Sequence, residues 1–254
     1  MPRHSSVVAV IPARYGSSRL PGKPLADIHG RPMILHVLER ARAVACVDRV
    51  VVATDDARIL DRVRGAGGEA LLTRPEHPSG TDRIAEAVRA LGLAPGDLVV
   101  NIQGDQPLLA PGPVEAIVRR LRDDPSVAMA TPACPLDPAE ADDPNRVKVV
   151  VDRRGRALYF SRARIPFDRD GEPPPEAAPA FLRHLGLYAY RPDFLQAFVA
   201  LPRGPLERRE KLEQLRALEN GFAIGVEIVP EAPPEVDTAA DLETVRRLGP
   251  AAGA

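Results

Sequence analysis

The sequence predicts an α/β protein with a mostly parallel sheet flanked by helices. Two observations carry that expectation: apolar strands alternate with amphipathic helices along the first half of the chain, and the first strand is apolar throughout. Val7 to Ile11 reads VVAVI, the pattern of a strand buried on both faces. Pro32 then opens a helix, a position where proline is favourable, with Ile34, Val37, Leu38, Ala41 and Val44 at helical spacing. The unit recurs as Val50 to Ala53 before a helix through Leu60 and Val63. It recurs again as Leu98 to Ile102 before a helix through Val114, Ile117 and Leu121.

Beyond about residue 130 the rhythm changes. Val147 to Val151 and Ala157 to Phe160 flank the turn signal Asp152 to Gly155 and predict a β-hairpin. Gly171 to Ala180 is proline-rich and poor in apolar residues, so a mobile loop is expected. Leu206 to Asn220 reads as one helix with Leu212, Leu215 and Leu218 on one side and Gly221 as its stop. A strand through Ile224, Val226 and Ile228 follows, and Thr238 with Asp241 forms a capping box ahead of Leu242 and Val245. The expected organisation is a single domain over 1–254: a first part to about 130, an inserted hairpin region over about 131–205, and a return to the main sheet over about 206–248.

Charge and composition narrow the function classes. Lys plus Arg total 34 against 35 Asp plus Glu, so no net field draws the chain to nucleic acid or an anionic membrane. Any anion site is local. Cys46 and Cys134 have no partner at metal-ligand spacing and read as inert packing residues. No stretch approaches the roughly 20 apolar residues of a membrane span, and no signal-peptide core is present, so a cytoplasmic protein is expected.

The local anion site is the loop after the first strand, from Arg14 to Lys23. In open α/β sheets ligands gather at the carboxyl ends of strands. Arg14, Arg19 and Lys23 supply charge, Ser17 and Ser18 hydroxyls, and Gly16 and Gly22 close backbone approach, a combination suited to a polyphosphate. It is not a P-loop, because five residues separate Gly16 from Gly22 and Pro24 follows Lys23. The dinucleotide fingerprint is absent as well. Asp105 follows the Leu98 strand and reaches the same sheet edge, where a turn hydrogen bond and a Mg²⁺ ligand are both open readings. Asp237 reads from its place as support for the Thr238 cap ahead of a ligand, and Thr81 reads as the N-cap of the next helix.

The segment IPARYGSSRLPGKPL resembles the signature loop of the 3-deoxy-manno-octulosonate cytidylyltransferases. TRPEHPSGTDR, VNIQGDQP, NRVKVV, ALYFSRARIPFDRD, FLRHLGLYAY, LEQLRALENG and VDTAADLETV resemble that family's later blocks in the same order. The resemblance implies a Rossmann-like sheet of the nucleotide-diphospho-sugar transferase type, with the first part binding nucleotide and the hairpin insert serving the sugar and a homodimer interface. It implies transfer of CMP from CTP to the anomeric hydroxyl of 3-deoxy-D-manno-octulosonate (Kdo), with Mg²⁺ and release of pyrophosphate, for lipopolysaccharide synthesis.

Residue by residue, the resemblance assigns Lys23 and Arg19 to phosphate charge and Asp105 with Asp237 to Mg²⁺. Arg14, Ser17, Gly80, Arg83 and Gln103 fall to the nucleotide, Arg83 as a reader of the pyrimidine edge. Gln103, Arg162, His184, Tyr188, Glu213 and Gln214 fall to the sugar, with Arg162 for its charge. Arg164 and Phe167 stand where the family commonly shows Thr and Trp, which leaves 8-amino-Kdo open as the acceptor. A sialic-acid cytidylyltransferase, whose loop typically reads PARGGSKG, disagrees at Tyr15, Arg19, Leu20 and Pro21. A non-catalytic nucleotide-binding subunit would be expected to have lost Lys23, Asp105 or Asp237, and all three are present.

Overall fold

The computed structural model describes residues 5–16, 20–169 and 179–249, which group into two compact units. The first holds residues up to Glu115, Arg191–Asp193 and the segment from Pro233. The second holds Ala116–Tyr190 and Phe194–Ala232. The division therefore falls inside a helix rather than near residue 130, and 206–232 stays with the second unit.

The first unit follows the strand–helix rhythm of the sequence. Its elements are β1 (Val7–Ala13), β2 (Asp27–Ile28), β3 (Arg31–Pro32), α1 (Met33–Arg42), β4 (Arg49–Thr54), α2 (Ala57–Gly65), β5 (Glu69–Leu72), α3 (Gly80–Leu91), β6 (Leu98–Asn101) and the start of α4 (Pro111–Asp123). The strands run parallel in the order β5-β4-β1-β6. Val7, Ala9, Val10 and Ile11 are fully buried, as a central parallel strand requires. Pro32 is the N-cap of α1 rather than its first residue. β5 has no counterpart among the expected elements: EALL is short, partly exposed and lacks β-branched residues. Thr81 is not the cap of α3. Ser79 takes that place, its side chain accepting from the Asp82 N–H, while Thr81 sits buried in the first turn.

The second unit contains the rest of α4, then β7 (Met129–Leu136), β8 (Lys148–Val151), β9 (Ala157–Ser161), β10 (Phe181–His184), β11 (Tyr188–Tyr190), α5 (Pro192–Ala200) from Phe194 onward, α6 (Pro205–Glu210), α7 (Leu215–Glu219) and β12 (Ile224–Ile228). β7 pairs antiparallel with β10 and β11 and parallel with β12. β8 and β9 form the expected hairpin, with an irregularity at Val150/Val151. Of the expected mobile loop, residues 171–178 lie outside the described residues.

The single helix expected over 206–220 is two. Lys211 adopts φ 55 in the left-handed region and closes α6. The reason is a buried ion pair: Arg216 Nη2 and Nε meet the Glu207 carboxylate at 2.6 and 2.7 Å. Nine residues of straight helix would hold those two residues ~13 Å apart along the axis, so the chain folds back to join them. The last helix, α8 (Ala239–Leu248), belongs to the first unit and starts at the expected capping box of Thr238 and Asp241. Among the described residues no helix is long and apolar enough to cross a membrane.

Candidate active site

At the carboxyl ends of β1 and β6 the first unit encloses a cavity of about 300 Å³. Its walls come from Pro12–Arg14, Lys23 and Pro24, His77–Gly80, Gln103–Asp105 and Asp237. Lys23 joins three of the surrounding groups. Its Nζ donates to Asp105 Oδ2 at 2.8 Å, to the Val236 carbonyl at 2.8 Å and to Asp237 Oδ1 at 3.4 Å. The Lys23 side chain is only 16% exposed, so it is a fixed counter-charge rather than a solvated surface cation. Strand order brought Lys23 and Asp105 to one sheet edge and the family resemblance added Asp237; the structure joins all three.

Local geometry explains how the cationic loop is held. Gly22 has φ 70, donates its N–H to the Tyr15 carbonyl at 3.1 Å, and lies so near the Tyr15 ring that a Cβ would stand 3.2 Å from it. The Arg58 guanidinium covers the same ring at 3.5 Å and is held by Asp56. Tyr15 thus packs between Arg58 and Gly22, the residue just before Lys23. Ser17 and Arg19 lie outside the described residues. Arg14 is exposed at the cavity, and the N-terminus of α3 opens there at Gly80. A helix N-terminus and a flanking cation both favour an anion.

The acidic side is positioned from two directions. At Gly104 a Cβ would come within 3.0 Å of the Pro12 carbonyl, so glycine lets the residue before Asp105 approach β1. The Asp105 carbonyl accepts from the Val236 N–H at 2.9 Å. The Asp237 N–H donates to Asp241 Oδ2 at 3.1 Å, so the capping box of α8 also orients the carboxylate before it. Asp237 thus leans on the α8 cap through its N–H while the residue lines the cavity.

Arg83 lines the cavity, but its guanidinium is anchored rather than presented. It donates to Asp55 Oδ2 at 2.7 Å and to Thr73 and the Arg74 carbonyl, and the residue is 3% exposed. Asp55 escaped the sequence reading, although it too follows a parallel strand. His77, on the cavity wall, pairs through Nε2 with Glu86, which also accepts from Arg74. Only its place in the TRPEHPSGTDR block marked His77, and nothing in local spacing links it to Glu86.

The residues assigned to the sugar lie in the second unit. His184 Nε2 contacts Thr131 Oγ1 at 3.0 Å, and its ring stands edge-on to Phe160 with centroids 5.0 Å apart. Burial, with Arg183 adjoining, pushes its pKa down to about 3, so the imidazole is neutral at ordinary pH. The Tyr188 ring is tilted against that of His184 with centroids 5.5 Å apart, and burial raises its phenol well above the usual value. Gln214 is buried with its Nε2 unpartnered, and Glu213 lies 3.5 Å from Arg216. Arg162 commits Nε to the Glu210 carbonyl at 2.8 Å and Nη1 to the Pro144 carbonyl at 2.9 Å. It ties β9 to α6. Glu210, unmarked in the sequence, accepts from the Arg162 N–H at 3.0 Å and Ser161 Oγ at 2.7 Å.

A parallel α/β sheet with a lysine, two carboxylates and a helix N-terminus around one strand-end cavity has the form of a nucleotidyltransferase. A cytidylyltransferase family model matches residues 8–228. A 3-deoxy-manno-octulosonate cytidylyltransferase of Syntrophobacter fumaroxidans is 58% identical over 240 residues, covering 94% of this chain and 95% of that one. An 8-amino-3,8-dideoxy-manno-octulosonate cytidylyltransferase of Shewanella sediminis is 52% identical over 239 residues, covering 93% and 96%. The solved structure of a CMP:2-keto-3-deoxy-manno-octonic acid synthetase complexed with CTP superposes with a TM-score of 0.89 at 49% identity, over 96% of this chain and 98% of that one. The chain belongs to the 3-deoxy-manno-octulosonate cytidylyltransferase family.

Proposed function

We propose that this chain transfers CMP from CTP to the anomeric hydroxyl of Kdo, releasing pyrophosphate, with Mg²⁺ held by Asp105 and Asp237. The observation that carries the reading is Lys23 bridging two carboxylates at the mouth of the β1–β6 cavity. Two oxygen-bearing carboxylates suit a hard cation that keeps phosphate oxygens and waters as its other ligands. Among the described residues no group of three or more His, Cys, Asp or Glu is gathered for a metal. The donor set is one that substrate completes. When bound, Mg²⁺ supplies charge stabilisation to the phosphates and the departing pyrophosphate.

The chain's own residues supply the rest. Lys23 and Arg14 put positive charge on the triphosphate, and the N-terminus of α3, which starts at Gly80 on the cavity wall, adds the positive end of its dipole. Arg83, fixed by Asp55, shapes the wall instead of contributing a mobile charge. For the acceptor, the neutral His184 ring, Tyr188 and the spare Gln214 Nε2 give a hydrogen-bonding set suited to hydroxyls. A homodimer is supported by exposed Leu158 on β9 and Phe167 just beyond it, 61% and 83% exposed. The reading places the reaction in the cytoplasm and its product in lipopolysaccharide synthesis.

The full chain is expected to release pyrophosphate only when CTP, Mg²⁺ and Kdo are all present. A folded preparation that stays silent in that assay contradicts the reading. The Shewanella sediminis relative favours 8-amino-Kdo as a second acceptor, and a panel of Kdo, its 8-amino analogue and sialic acid decides between them.

A further inference from the structure

Asp105 follows β6 and Asp237 precedes α8, and the two segments are joined beside the acidic pair as well as through Lys23. The Val236 N–H donates to the Asp105 carbonyl at 2.9 Å. One residue after Asp105 and one before Val236, Gln106 Nε2 donates to Glu235 Oε1 at 2.8 Å. Gln106 is 1% exposed, and its Oε1 is buried without a hydrogen-bond partner. Chemistry fixes the orientation of this amide, because turning Oε1 toward the carboxylate would oppose two acceptors. A buried acceptor left unsatisfied is unfavourable. Packing alone would favour an apolar side chain of similar size.

We infer that Gln106 and Glu235 form a positioning pair, whose bond sets the register between the loop after β6 and the segment before α8 and so the spacing of Asp105 from Asp237. The inference rests on the reading of those two aspartates as the Mg²⁺ ligands. Neither Gln106 nor Glu235 needs to touch the ion. Partners that orient ligating carboxylates from behind typically alter metal affinity by about tenfold or more when removed.

The test uses Mn²⁺ as the probe, bound to the full chain with CTP present and Kdo absent and followed by its paramagnetic resonance signal against a Mn²⁺–CTP control without protein, with thermal melting alongside. Gln106→Leu keeps the volume and removes the amide. It is expected to weaken Mn²⁺ binding about tenfold without lowering the melting temperature. The Mg²⁺ concentration for half-maximal turnover rises in parallel, while kcat at saturating Mg²⁺ stays near that of the parent chain. The exchanged pair, Gln106→Glu with Glu235→Gln, restores the bond at the same net charge and is expected to restore Mn²⁺ binding. Glu235→Ala breaks the same bond from its more exposed side and replaces Gln106→Leu in the comparison if that variant does not fold. Single variants that bind Mn²⁺ like the parent chain, or an exchanged pair that restores nothing, overturn the inference. A parent chain that binds no Mn²⁺ overturns the metal reading and the inference together, and so separates the two failures.

Discussion

At Lys23 a single ammonium holds two carboxylates and a carbonyl, and each partner does separable work. Asp105→Ala leaves Lys23 with Asp237 and the Val236 carbonyl, so the fold is expected to persist while kcat falls at least about a hundredfold. Steady-state pyrophosphate release with a melting curve on the same sample checks this, and a lost melting transition would make Asp105 structural. His184 gives a prediction about acid. Folding lowers its pKa from 6.5 to about 3, so between those values the unfolded chain binds the additional proton and stability falls as pH drops from about 6.5. The loss is complete near pH 3 and is on the order of a few kcal/mol. His184→Gln is expected to lose less stability than the parent chain between pH 7 and pH 4.5, read from urea midpoints at each pH. Equal losses in the two proteins would place the acid sensitivity elsewhere. These residues were legible to different degrees. Asp105 announced itself by following an apolar strand, whereas the bond between Arg83 and Asp55 joins residues whose separation follows no local period.

Among the elements, the break between α6 and α7 is the clearest case of tertiary structure overriding sequence pattern. Leu212 and Leu215 suit one continuous helix, but the buried Arg216–Glu207 pair requires a reversal, and Lys211 supplies it at φ 55. A non-glycine residue in that conformation is strained. Lys211→Gly is therefore expected to stabilise the protein by about 0.5 kcal/mol, the relief of strain being partly offset by the entropy of glycine. Lys211→Val is expected to destabilise it by about 1–2 kcal/mol. Urea denaturation of the pair reads both, and a Val variant as stable as the parent chain would contradict the argument. The parallel strands were legible because burial on both faces leaves an unmistakable apolar run. β5 was not, since EALL carries the composition of a helix as readily as that of a strand.

For the whole molecule, the apolar side chains left exposed around the β8–β9 hairpin predict self-association. Light scattering is expected to give the mass of a dimer at micromolar concentration, and Leu158→Lys to shift it toward monomer. A monomer throughout this range counts against the homodimer. The α/β class was legible from rhythm alone, but the division into units was not, because α4 crosses it without any change in composition. That division has a consequence for synthesis. The first unit is interrupted: its strands are complete by Asn101, while Val236, Asp237 and α8 come from the far end of the chain, after the second unit has been made. Emerging from the ribosome in order, the chain presents Lys23 and Asp105 long before their third partner exists. A polypeptide released before Asp237 would therefore carry Lys23 and Asp105 without the second carboxylate that shares the ammonium.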